Sequence, residues 1–71
     1  MKVSVFKTNI QYKKQVQQLT PLLNSVSDIN RWNIDLHDRD KILRIEADRH
    51  LFNEITKLIK QAGYHCEELT D

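Results

Sequence analysis

An α+β sandwich of order βαββαβ, with a four-stranded antiparallel sheet and two helices on one face, is the fold this chain predicts. Three observations carry it. Apolar residues recur at helical spacing in two separate stretches, they alternate in two adjacent stretches between them, and the whole chain has only 71 residues. A chain this short buries only about 60% of the surface its unfolded form exposes, so one thin core and one domain spanning residues 1–71 are expected. Two interlocked split β-α-β units are the economical way to join these elements with short right-handed connections, which is the ferredoxin-like arrangement.

The first strand is expected over Met1 to Ile10, from Val3, Val5, Phe6, Thr8 and Ile10. Its two apolar parities compete, which leaves the inward face open and admits a bulge. Tyr12, Val16, Leu19 and Leu23 then fall at intervals of four, three and four, one stripe of a helix ending near Asn24. Pro21 lies inside that helix and removes the backbone bond to Gln17, so a bend or a tighter last turn is expected.

Asn24 to Asp28 is a polar loop. After it Trp32, Ile34 and Leu36 alternate with Arg31, Asn33 and Asp35, the period of a half-buried strand anchored by Trp32. His37 to Lys41 forms a polar turn, and Leu43, Ile45 and Ala47 alternate with Arg44 and Glu46 as the second arm of a hairpin, Ile42 standing outside the alternation. Asp48 is placed to cap a second helix with the stripe Leu51, Phe52, Ile55, Leu58, Ile59 and Ala62, and Gly63 to follow its end. Tyr64 to Leu69 closes the sheet as a short strand. In this topology the first strand-to-helix loop, the hairpin turn and the loop before the last strand emerge at one end, with Tyr12, His37 and Tyr64 as neighbours.

Composition narrows the function. Eleven basic and ten acidic side chains leave a net charge of +1, too balanced for the phosphate neutralisation that drives nucleic-acid binding. The first and third strands carry Ser4, Lys7, Arg44 and Glu46 rather than stacking aromatics, and Trp32 and Phe52 fall in the core by alternation and helical phase, so no nucleic acid is expected. No apolar run approaches the ~20 residues of a membrane span, and Lys7 interrupts what an export signal would need, so a cytoplasmic location is expected. The single cysteine, Cys66, excludes an internal disulfide. With no nucleophile beside a base, no paired carboxylates in an apolar setting and one glycine, Gly63, the chain does not read as an enzyme.

Particular words in the sequence then carry a resemblance. Phe6-Lys7-Thr8-Asn9-Ile10, Val16, Leu19-Thr20-Pro21-Leu22-Leu23-Asn24, Trp32-Asn33-Ile34-Asp35, Asp40-Lys41-Ile42-Leu43 and Ala62-Gly63-Tyr64 resemble the heavy-metal-associated domain, the family of bacterial copper chaperones and of soluble domains of metal-transporting ATPases. The resemblance covers nearly the whole chain. It implies the fold above and a metal held by two cysteines, with two residues between them, at the turn from first strand to first helix. Thiolates suit that role because polarisable sulfur satisfies a soft cation.

Counted from Asn9-Ile10 and forward to Val16, that pair falls on Tyr12 and Gln15. A phenol with a pKa near ~10 stays protonated, and a carboxamide is a weak neutral ligand, so the fold carries over without the metal site and no cofactor is expected. What remains is a small non-catalytic binding or accessory module rather than a Cu(I) chaperone. A protein partner is expected through the loop end bearing Tyr12, Lys13, Lys14, His37 and Tyr64, with the chain a monomer or weak dimer.

Lys13 and Lys14 stand in the first helical turn, where the dipole is already positive. They read either as an anion-facing pair or as two solvated side chains. Two other readings of the chain stay open. One is a metal carrier using His37, His65 or Cys66, with Asp38 and Asp40 nearby and His50 at the far end. The other is a small-molecule-sensing module of paired ferredoxin-like sheets.

Overall fold

The computed structural model describes residues 2–69 and has the predicted architecture. Its elements are β1 (Lys2–Thr8), α1 (Lys13–Asn24), β2 (Ile29–Asp35), β3 (Ile42–Ala47), α2 (Phe52–Gln61) and β4 (Cys66–Glu68). The sheet has the order β2-β3-β1-β4, and every neighbouring pair is antiparallel. Leu19 and Leu23 of α1 and Ile55 and Ile59 of α2 share one core with Phe6, Leu43 and Ile45, so both helices cover the same face and the other face is open.

Register resolves the ambiguity of the first strand. Ser4 pairs with Ile45, which pairs with Trp32, and Phe6 pairs with Leu43, which pairs with Ile34. Those rows point inward, together with Thr8, while Val3, Val5 and Lys7 lie on the open face. The expected strand ran too far and its bulge is absent: β1 ends at Thr8, and its ladder with β3 is unbroken. Met1, the expected first residue of that strand, lies outside the described residues. The irregularity sits in β2 instead, between Ile29 and Arg31, where Asn30 is the extra residue.

Phase put Ser4 and Thr8 among the inward positions because each hydroxyl has a partner. Ser4 Oγ lies 3.3 Å from Nδ1 of His50, and Thr8 Oγ1 donates to the carbonyl of Lys41 at 2.6 Å. Burial without such partners would cost each hydroxyl about 1–3 kcal/mol.

Pro21 is accommodated near the end of α1, where the tightening takes the form of a shared donor. The Ser25 N–H reaches the carbonyls of both Pro21 (3.1 Å) and Leu22 (3.3 Å). Helix α2 ends in a Schellman motif: the Gly63 N–H bonds Lys60, the Tyr64 N–H bonds Ile59, and Gly63 takes the left-handed φ of 93°.

Four further expectations are corrected. Asp48 does not cap α2, whose first turn is preceded by Leu51; the Asp48 carboxylate accepts from Asn30 Nδ2 instead. The α2 entry is steadied by Arg49, which pairs with Asp28 at 2.9 Å and Glu54 at 2.6 Å. Phe52 is 44% exposed at the start of α2, although its ring still stacks on Phe6 with centroids 6.5 Å apart. Trp32 is half-buried at the sheet edge, its indole N–H donating to Asn24 Oδ1 at 2.9 Å. Strand β4 is shorter than expected, but the Leu69 N–H still reaches the Val5 carbonyl at 2.8 Å.

Candidate functional site

The end of the sheet where β1 runs into α1 is built by three hydrogen-bonded loops. Thr8, the last residue of β1, donates its N–H to the Asp40 carbonyl at 3.1 Å and its hydroxyl to Lys41, which pins the hairpin turn to the first strand. The same hydroxyl accepts from the Ile10 N–H at 3.2 Å. Asn9 and His65 pair reciprocally: the Asn9 N–H reaches the His65 carbonyl at 3.3 Å, and the His65 N–H reaches Asn9 Oδ1 at 2.8 Å. Fully buried Ile10 then plugs the loop into the core. The convergence of these three loops follows the predicted topology.

Beyond Ile10 the chain turns into α1 through Gln11 and Tyr12. Gln15 Oε1 accepts from the N–H of Gln11 (2.8 Å) and of Tyr12 (3.1 Å), while the Tyr12 carbonyl accepts from the N–H of Gln15 and Val16. Gln15 thus closes its own loop, as the glutamine of a capping box does. Tyr12 is 64% exposed and serves as the residue flanking the helix rather than as part of its buried stripe.

Lys13 and Lys14 are exposed in the first turn, which has no acidic residue, and neither takes part in an ion pair among the described residues. Negative charge at this end comes from Asp35, which lines one groove with Lys13, and from Asp40, loosely paired with Lys7 at 3.8 Å. Free helix N–H groups and two ammonium groups give this corner a positive field.

The other predicted residues are divided. His37 lines a shallow groove with Lys13, Val16 and Asn33. His65 and Cys66 line a different one with Lys7, Asn9 and Glu67. Tyr64 turns its hydroxyl to Gln18 of α1 at 2.8 Å. Among the described residues, no group of three or more His, Cys, Asp or Glu side chains is placed to hold one ion. Cys66 is half-buried, with Sγ 4.0 Å from Thr56 Oγ1, and burial pushes its thiol above the usual range while that contact opposes the shift.

Sequence reasoning missed two features. The loop-closing role of Gln15 had a local signal, a glutamine three residues after the helix boundary. The Ser4–His50 contact, by contrast, spans 46 positions and overturns the expectation that no nucleophile lies beside a base. Ser4 is only 6% exposed and sits inside the sandwich.

The arrangement of helices and strands is the ferredoxin-like α+β sandwich. The yeast copper transporter domain Ccc2a, solved in solution in apo and Cu(I)-loaded states, is similar to this chain with a TM-score of 0.83 at 15% identity, over 100% of this chain and 99% of that one. No family model and no curated protein matches the sequence. No described helix is long and apolar enough to cross a membrane.

Proposed function

We propose that this chain is a single-domain, cytoplasmic, non-catalytic binding or accessory module, in which Tyr12 and Gln15 occupy the two metal-ligand positions of the heavy-metal-associated scaffold. The observation that carries the reading is the double acceptor role of Gln15 Oε1. A side chain committed to two backbone donors of its own loop is not directed at an ion, and a neutral phenol beside Lys13 and Lys14 does not attract one. The donors here do not fit a soft cation. The same positive corner suits an acidic protein surface, with exposed Tyr12 as the apolar and hydrogen-bonding contact. The low exposure of Ser4, 6%, supports the non-catalytic part, even though Ser4 and His50 border a groove with Val3, Val5 and Phe52.

A Cu(I) competition titration tests this reading on the native chain, a Cys66→Ala variant and a Tyr12→Cys/Gln15→Cys double variant. The native chain and Cys66→Ala should fail to compete with the chelator, and the double variant should acquire tight one-to-one binding. Tight one-to-one binding by the native chain, lost in Cys66→Ala, would show a carrier working through that thiol and overturn the proposal.

A further inference from the structure

Strand β2 is the outermost strand of the sheet on the side away from β4. Among the described residues, no hydrogen bond other than those of the β3 ladder reaches the main chain of Arg31 to Asp35. Exposed edges of this kind are normally blunted by charged side chains, lysine above all, by proline, extreme shortness or a bulge. Here the bulge at Asn30 lies at one extremity, the five residues after it contain no lysine and no proline, and their two charged side chains, Arg31 and Asp35, are of opposite sign.

We propose that Arg31–Asp35 is a self-pairing edge, joining two copies of this chain antiparallel about a two-fold axis at Asn33. The occupant is a second copy because the edge is complementary to itself. With Asn33 opposite the second copy's Asn33, Arg31 stands opposite Asp35 and Asp35 opposite Arg31, so each dimer gains two cross-strand opposite-charge pairs on the open face. On the covered face Trp32 stands opposite Ile34 and Ile34 opposite Trp32. Both are only half-buried in one copy, and pairing covers the apolar surface each still shows.

Alternative registers are poorer. Antiparallel pairing that keeps each side chain on its own face moves in steps of two residues. One step toward the bulge sets Arg31 against Asn33 and loses both charge pairs. A further step sets Arg31 against Arg31, and the same shift the other way sets Asp35 against Asp35. The register centred on Asn33 is therefore the one with full overlap and no like charges facing. Strand β4, the other edge, offers only Cys66–Glu68, and self-pairing there brings glutamates together. The inference does not depend on what the loop end binds.

Sedimentation of the purified chain over a concentration series, combined with disulfide trapping, tests it. The native chain should show a reversible monomer–dimer equilibrium. Arg31→Asp and Asp35→Arg should each weaken it by roughly tenfold, and the combined swap should restore it. In a Cys66→Ser background, Asn33→Cys should oxidise to a covalent dimer faster than Asn53→Cys on exposed α2. Far-UV circular dichroism checks that Asp35→Arg, which loses the acceptor for the His37 N–H, keeps its fold. A chain still monomeric at about 1 mM, a dimer indifferent to either reversal, or Asn33→Cys oxidising no faster than Asn53→Cys would overturn the proposal.

Discussion

Thr8 and Lys41 are 33 residues apart in sequence and meet through a 2.6 Å hydrogen bond from hydroxyl to carbonyl. Lys41 holds a φ of 50°, a left-handed conformation outside glycine, and its ammonium reaches back to the Leu36 carbonyl at 2.7 Å. The turn that carries His37 is thus fixed at both ends, by Thr8 and by the Lys41 side chain.

Thr8→Val keeps the shape of the side chain but removes the donor to Lys41 and the acceptor for the Ile10 N–H. A loss of about 1–3 kcal/mol is expected in urea unfolding, with an unchanged m-value. A change below ~0.5 kcal/mol would mean that the contact does not hold the turn.

Lys41→Val places a β-branched side chain in the left-handed region and should cost about 1–2 kcal/mol or more. Lys41→Gly relieves the backbone while losing the bond to Leu36, so the two effects nearly offset. The measurement is the difference between these variants by thermal melting, and an equal loss in both would contradict the backbone argument.

Removing the loop-closing acceptor by Gln15→Ala leaves the N–H groups of Gln11 and Tyr12 to solvent. Because both are exposed, the expected loss is modest, about 0.5–1.5 kcal/mol. Amide exchange should accelerate at Gln11 and Tyr12 before it does so in β1. Uniform acceleration would argue for a global effect instead.

Lys13→Glu and Lys14→Glu each place a negative charge on the positive end of α1. Each should stabilise the chain by about 0.3–1 kcal/mol in low salt, with most of the gain screened at 1 M NaCl. If the lysines contact an acidic partner, the same changes should weaken its capture, so stability and binding should move in opposite directions.

The thiol of Cys66 should react slowly with iodoacetamide at pH 8, and its rate should rise at higher pH than that of a free cysteine. The linked effect on stability follows from the direction of the shift. A proton held more tightly in the folded state favours folding below the unfolded thiol value near ~8.5, and this contribution declines as pH rises from there. Alkylation at the rate of an unfolded peptide would contradict the burial.

The element order and both helices were legible because their signals are local: four-three-four spacing before Asn24, the dense stripe through Ile55 and Ile59, and alternation from Arg31 to Leu36. What sequence could not decide was where a side chain's partner would come from. Polar Ser4 and Thr8 outrank Val3 and Val5 for the interior because their partners lie on distant turns. Asp48 has capping chemistry, but Arg49, His50 and Leu51 separate it from α2, and Asn30 claims its carboxylate across the hairpin. Phe52 has the right helical phase but sits on the opening turn, where the sandwich no longer covers it. At the candidate site, Tyr12 and Gln15 were readable as residues, whereas the commitment of Gln15 to its own loop emerged only from the hydrogen bonds.

Glu46 is 7% exposed although it lies on the open face, held by Arg44 at 2.8 Å and flanked across the ladder by Val3 and Arg31. Laying another protein flat over this layer would strip water from four charged side chains, Arg31, Arg44, Lys7 and Glu67, and gain mainly the apolar surface of Val3 and Val5 in return. The molecule is a disc measuring 28 × 28 × 18 Å with one broad side kept wet, so encounters are steered to its rim.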